Sequence, residues 1–251
     1  MKAIIPAAGY ATRLYPLTKD KPKALLDIAG KPMIEWVMEK ILEVRDIDEV
    51  VIVTNRLFYS QFADWSRKFK ARAPVRILDD GTTSNETRLG AIGDWWFGID
   101  KGKLVGHDLL SVSSDNLFNF SILRMMDLFK AKKTSIIGTF DLHDWNEAKK
   151  MGIVAMDKTG KVIGFVEKPE NPPSTMASVG IYLFSAAHAK RMKEYLDAKN
   201  SPDKPGQFIE WLYPRETIYG YNYDKTEDQW YDIGTLDTLE SVRKIYFFKR
   251  E

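Results

Sequence analysis

A chain of 251 residues, 44% hydrophobic and 29% charged, is long enough to bury one large core or two small ones. Its 37 basic and 35 acidic residues leave a net charge of +2, so neither nucleic acid nor an anionic membrane is demanded as a partner. The absence of cysteine excludes a disulfide framework, a thiolate nucleophile and thiolate zinc ligands.

The first buried strand is predicted over residues 3–6, and small residues with one cation follow it at once: Ala7, Ala8, Gly9, Ala11, Thr12 and Arg13. Apolar positions Ile34, Val37, Met38 and Ile41 have helical spacing over 33–44, with Pro32 at the helix start. A strand over 50–53, a helix over 58–70, a strand over 75–78, a helix over 86–96 and a strand over 109–113 continue the alternation. The basic run at 67–72 is expected on a solvated helix face. The second half reads differently. Residues 151–156 and 161–167, joined by Lys158-Thr159-Gly160, have the pattern of a hairpin, and a strand over 178–184 leads into another helix. Strand–helix alternation implies parallel β-α-β units, and the hairpin implies a partly antiparallel C-terminal portion of the same sheet. Trp95-Trp96-Phe97 is expected to follow the 86–96 helix as core packing.

His107, His143 and His188 show no metal-ligand spacing, and no G-x-S-x-G elbow marks a serine hydrolase. No segment reaches the roughly twenty apolar residues of a membrane span, and the N-terminal apolar run is too short for a signal peptide. A soluble, cytoplasmic protein is expected.

Ligands of open α/β sheets bind beyond the carboxyl ends of the strands, which is where the loop after the first strand lies. Small residues let backbone N–H groups approach a phosphate, and Arg13 and Lys23 add positive charge. The dinucleotide fingerprint and the P-loop are both missing. On this loop alone, a surface turn with a structural arginine is the simpler reading.

Residues 6–36 read PAAGYATRLYPLTKDKPKALLDIAGKPMIEW. The stretch resembles the sugar-phosphate nucleotidyltransferases (NDP-sugar pyrophosphorylases, glucose-1-phosphate thymidylyltransferases among them). Their opening runs A-A/G-G-x-G-T-R-L-x-P-L-T, then P-K-x-L-L, then G-K-P-M-I, and the blocks fall here at 7–18, 22–26 and 30–34. Weaker matches follow in the family's order: Asp115, Gly152, Glu167-Lys168-Pro169, the strand beginning Gly180-Ile181-Tyr182, and Trp230-Tyr231-Asp232-Ile233-Gly234-Thr235.

The resemblance implies a Rossmann-like, GT-A-like three-layer α/β sandwich with a mixed, mainly parallel central sheet. It implies one domain over 1–251, with a nucleotide-binding half at about 1–115 and an acceptor-binding half at about 116–251. The loop would wrap a nucleoside triphosphate through Ala7, Ala8, Gly9, Ala11 and Thr12, with Arg13 and Lys23 on the phosphates as the catalytic cations. Gly152, Glu167, Lys168 and Gly180 would take the acceptor, and Asp115 and Asp232 would hold Mg2+. The implied reaction is attack of a sugar-1-phosphate oxygen on the α-phosphorus, with release of pyrophosphate. Nothing in the chain suggests a nucleic-acid or membrane partner, and a homo-oligomer is left open.

Two departures stand out. The family's second loop glycine is Ala11, which would carry strain if the position needs positive φ, so either the backbone there is ordinary or the loop is shaped differently. Base readers in thymidylyl- and uridylyltransferases show Q-x-x-x-x-G-L/T-A, whereas residues 78–95 read LDDGTTSNETRLGAIGDW. Asp80, Gly81, Ser84 and Asn85 are expected at the nucleotide, with Asn85 or its backbone on the base edge. Ser84 or Asn85 as a helix cap is the alternative. The base itself is not determined, a pyrimidine being favoured by analogy. No hexapeptide β-helix repeat is visible, so an appended acyltransferase domain is not expected. Two rival readings remain: a cytidylyltransferase for a non-sugar phosphate such as phosphocholine, against which Glu167 speaks, and a catalytically silent regulatory or binding subunit, against which the retained Arg13, Lys23, Asp115, Lys168 and Asp232 speak.

Overall fold

The computed structural model describes residues 1–248. Its strands in chain order are β1 (Lys2–Pro6), β2 (Asp27–Ile28), β3 (Lys31–Pro32), β4 (Glu49–Thr54), β5 (Val75–Asp79), β6 (Leu109–Val112), β7 (Asn116–Phe118), β8 (Ile136–Asp141), β9 (Gly152–Met156), β10 (Val162–Glu167), β11 (Met176–Phe184), β12 (Tyr219–Tyr223) and β13 (Trp230–Asp232). The helices are α1 (Met33–Glu43), α2 (Tyr59–Lys68), α3 (Ala91–Lys101), α4 (Leu123–Lys132), α5 (Trp145–Ala148), α6 (Ala186–Asp197), α7 (Pro205–Leu212) and α8 (Leu236–Phe248).

Continuous apolar runs make the central strands, because a parallel strand is covered on both faces. Residues 3–5 in β1 and 50–53 in β4 are all buried, and their side chains alternate between two layers. Ala3 and Ile5 pack with Ile34, Val37, Met38 and Ile41 of α1. Ile4, Val51 and Val53 pack with Ile92, Trp95 and Ile99 of α3. The sheet order is β10-β9-β11-β6-β1-β4-β5, with β8 on β11 and β12 on β8. β4 and β6 pair in parallel with β1, and β5 with β4. β11 is antiparallel to β6, β8 and β9, and β10 is antiparallel to β9. Only β10 and β11 therefore oppose the common direction among the sheet's described strands.

The helix expected over 86–96 is displaced. A single 3-10 turn, Asn85–Thr87, precedes Gly90, and α3 begins at Ala91. Gly90 has φ +79°, and a Cβ there would lie 2.6 Å from the Pro202 carbonyl oxygen. No other residue type fits a helix start pressed that closely against another loop. Trp95-Trp96-Phe97 consequently lies inside α3. Trp95, 1% exposed, donates through Nε1 to Ser111 Oγ at 2.7 Å and sets its ring edge-on to Tyr182 and Phe184. The basic run also departs from expectation, because α2 stops at Lys68 and the Arg72 guanidinium donates to the carbonyls of Leu42, Val44 and Ile47. It thereby satisfies the Leu42 carbonyl at the end of α1 and ties down two carbonyls of the turn that follows. Among the described residues no helix is long and apolar enough to cross a membrane.

Candidate active site

β1 ends at Pro6, and the loop that follows crosses the carboxyl edge of the sheet. Buried side chains fix its path. The Ala7 N–H donates to the Val53 carbonyl at 2.8 Å. Asn55, fully buried at the end of β4, donates to the Ala8 carbonyl at 2.9 Å and accepts from the Phe58 N–H. Thr18, also fully buried, donates to the Ala11 carbonyl at 2.8 Å. Ala11 itself sits at φ 47°, ψ 44°, in the left-handed region. The backbone there is therefore not ordinary, the alanine carries the strain of a positive φ, and Thr18 helps to hold it.

The loop walls one compartment of a continuous groove, a cavity of about 490 Å³. Ala7, Ala8, Gly9, Ala11, Thr12, Arg13 and Lys23 all line it, as does Asn85. Asp80, Gly81 and Ser84 are not among its lining residues. One oxygen of the Asp80 carboxylate is instead engaged within its own turn, where Oδ1 accepts from the Thr82 N–H and hydroxyl, and Ser84 caps the 3-10 turn with Thr87. A second compartment of about 480 Å³ adjoins the first and is lined by Gly152, Glu167, Lys168 and Gly180. Gly180 has φ +68°, and a Cβ there would sit 2.7 Å from Ser113 Oγ. Arg13, Ser113 and Asp115 border both compartments, and Asp232 borders the second.

Asp115 and Asp232 lie far apart in sequence and are brought together by a small ladder outside the main sheet. β13 pairs antiparallel with β7, with Asp232 opposite Asn116. The Ile233 N–H donates to the Asp115 carbonyl at 3.1 Å. Asn116 knits the pair further, donating to Asp115 Oδ1 at 2.9 Å and accepting from Trp230 Nε1 at 2.6 Å. Lys23 Nζ donates to Asp115 Oδ2 at 2.5 Å and to the Ile233 carbonyl at 3.0 Å.

The electrostatics follow from this crowding. Burial pushes the Asp115 carboxyl up, but the adjacent Lys23 ammonium and the Asn116 amide bring it below the usual range. Burial, and then the charge of Asp115, push Asp232 up to about 6, against the opposing pull of Lys23, Lys168 and Arg13. Burial likewise raises Glu167, against Lys168 and Lys204. Four cations, Arg13, Lys23, Lys168 and Lys204, thus act on three carboxylates. Lys168 adopts φ 52°, a left-handed conformation that a lysine keeps only when its surroundings impose it.

Among the described residues no group of three or more His, Cys, Asp or Glu side chains could hold a metal by itself. Two crowded carboxylates beside a groove lined by Arg13 and Lys23 do suit magnesium, which takes one or two protein carboxylates and completes its shell with phosphate and water oxygens.

Several groove residues carry no signal in the sequence. Arg88 lines both compartments, Lys204 the second and Asp94 the first. Asp94 reads as one more polar residue of a helix, and only the tertiary structure buries it.

Residues 2–247 match the family model described as nucleotidyl transferase. The chain is 25% identical to a UTP–glucose-1-phosphate uridylyltransferase of Haloferax volcanii, covering 74% of this chain and 73% of the relative. It is 33% identical to a probable mannose-1-phosphate guanylyltransferase of Arabidopsis thaliana, covering 97% of this chain and 66% of the relative. It superposes on a UDP-glucose pyrophosphorylase solved with UDP-glucose at a TM-score of 0.85 and 23% identity, covering 99% of each chain. Curated relatives can be much longer, and the chain spans 73%, 61% and 50% of three of them.

Proposed function

The chain belongs to the nucleotidyl transferase family, and from that premise we propose that it transfers a nucleotidyl group from a nucleoside triphosphate to a sugar-1-phosphate. The observation that carries this reading is the pair of adjoining compartments bordered in common by Arg13 and Asp115. One suits a triphosphate beside a small-residue loop, and the other suits a polyhydroxylated acceptor beside a carboxylate and a lysine. The relatives' names, which specify sugar-1-phosphates, support the same reading.

An oxygen of the sugar phosphate attacks the α-phosphorus, the new P–O bond forms, and the bond to the β-phosphate oxygen breaks to release pyrophosphate. The nucleophile is already an anion, so no general base is needed. The obstacle is bringing two polyanions together, which makes positioning and charge neutralisation the main tasks. Arg13 and Lys23 serve the triphosphate. Lys168 serves the acceptor phosphate, and the Glu167 carboxylate accepts hydrogen bonds from sugar hydroxyls. Gly152 and Gly180 bring bare backbone to the acceptor compartment, where a Cβ would run into Phe165 and Ser113. Asp115 and Asp232 would hold Mg2+, which supplies charge neutralisation at the phosphates when bound. Both compartments are carried by one sheet, and we take the two halves as a single catalytic unit.

A screen of pyrophosphate release over the common nucleoside triphosphates and a panel of sugar-1-phosphates tests this. Release that requires both substrates and a divalent cation, and that Asp115→Asn nearly abolishes, is expected. Release only with phosphocholine, or with no acceptor at all, would overturn it. The named relatives lend no support to a phosphocholine acceptor or to a silent subunit.

A further inference from the structure

Among the described residues, Asp94 is the one charged side chain buried in the lining of the first compartment, at 6% exposure. Its Oδ1 is fully enclosed and has no hydrogen-bond partner among the described residues. The charge it feels is that of Asp80, a second carboxylate, and Asp80 Oδ2 is likewise enclosed without a partner. Burial, with Asp80 behind it, pushes the Asp94 carboxyl well above the usual range. A buried polar atom left unpartnered is costly, and native structures keep few of them unless a water, ion or ligand completes the set.

The sheet order says which part of a nucleotide reaches this carboxyl. β6, which leads to Asp115, lies on one side of β1, while β4 and β5 lie on the other. Asn85, Gly90 and Asp94 all follow β5 in the chain and line the same compartment as the loop. The phosphates belong with Arg13, Lys23 and Asp115, so the nucleoside extends toward the residues after β5. The wall there is made of small groups, Ala7, Ala8, Gly90 and Ala91, which suit a flat ring. Two neighbouring carboxyls, with no cation beside them among the described residues, give a phosphate nothing to pair with. A base edge that brings hydrogen-bond donors favours the ionised form of Asp94, in which both oxygens accept.

We propose that Asp94 reads the nucleobase and selects one that carries an exocyclic amino group, cytosine, adenine or guanine, over uracil and thymine; this rests on the nucleotidyl-transfer reading above. An amino group presents two N–H donors, and guanine adds N1–H. Uracil and thymine offer a single N–H between two carbonyl oxygens, and those oxygens are poor neighbours for an acceptor-rich floor. A mismatched base leaves the Asp94 oxygen unpaired, so discrimination of roughly tenfold to a hundredfold follows.

The test is calorimetric binding of CTP, ATP, GTP, UTP and dTTP in magnesium buffer. Inosine triphosphate and purine riboside triphosphate serve as partners of GTP and ATP that lack the amino group, and UTP serves CTP in the same way. The best ligand should carry an amino group, and removing that group should weaken binding at least tenfold. Asp94→Asn, which exchanges one acceptor for a donor, should shrink this gap tenfold or more. Strongest binding of UTP or dTTP, or an unchanged gap in a folded Asp94→Asn, would overturn the assignment. So would a variant that keeps its base preference and loses only discrimination between ribose and 2′-deoxyribose, because Asp94 would then face the sugar. If the variant fails to fold, the wild-type analogue series decides alone. Failure of every triphosphate to bind would overturn the nucleotidyl-transfer reading as well, an outcome distinct from tight binding of UTP.

Discussion

Ala11 and Asp232 are each held in an unfavourable state by the groove they serve. Ala11 occupies the left-handed region at φ 47°, ψ 44°, which costs an L-residue about 1–2 kcal/mol. Glycine removes that cost but loosens the unfolded chain by about 0.4–1 kcal/mol. Ala11→Gly should therefore leave stability unchanged or raise it by up to about 1.5 kcal/mol in urea unfolding, and a clear loss would show that the alanine is unstrained. Asp232 titrates at about 6 instead of 3.8, through burial and the charge of Asp115. A carboxyl raised in the folded state contributes stability below its unfolded pKa and loses it as pH rises through about 6. Asp232→Asn removes that loss. The variant should be more stable than the parent at pH 7, by on the order of 1 kcal/mol, with the gap closing below pH 5, while turnover nearly vanishes. A variant less stable than the parent at pH 7 would mean the two carboxylates do not crowd each other. The signature at 7–34 makes the loop legible in the sequence, and it marks Ala11 as the odd residue. It does not supply the dihedrals, which depend on a hydrogen bond from Thr18 at the end of the first block and on Asn55, beyond the signature.

The short ladder of β7 and β13 does what no long strand could, because it lies beside the sheet and carries Asp232 to Asp115. Asn116 is its pin, bonded to both Asp115 and Trp230. Asn116→Ala should cost about 1–2 kcal/mol in chemical denaturation, from two lost bonds at a buried position. It should also cut kcat by more than it raises KM for the triphosphate. A loss of stability with kinetics intact would make the pin structural only. Elements of this size leave little trace in sequence. Residues 50–53 and 109–113 announce strands because their apolar runs are buried on both faces, whereas three residues of β7 or β13 show no period. The helix expected over 86–96 starts late for a related reason. Residues 85–89 carry ordinary helix formers, and the break comes from Gly90 pressed against Pro202, a tertiary contact.

Across the whole molecule, one sheet joins a parallel block to an antiparallel one, and the groove runs over the seam between β6 and β11. The alternating first half and the hairpin of the second are both readable in the sequence, and so is their union in one sheet. The burial of Asp94 is not, since polar residues on a helix default to the solvent side and only α3's docking reverses that. A groove of two compartments predicts a division of labour. Lys168→Ala should raise KM for the sugar phosphate about tenfold or more while changing KM for the triphosphate little, and Lys23→Ala, at a lysine that lines the first compartment alone, should do the reverse. Equal effects of both variants on both substrates would deny the division. The claim beneath all of this is that an oxygen of the acceptor phosphate attacks the α-phosphorus within that groove. The most direct measurement supplies a sugar-1-phosphate labelled with 18O in its phosphate oxygens and follows the label through turnover by mass spectrometry. The account predicts that all of the label stays in the nucleotide-linked sugar and none enters pyrophosphate. Label recovered in pyrophosphate or in free phosphate would contradict it.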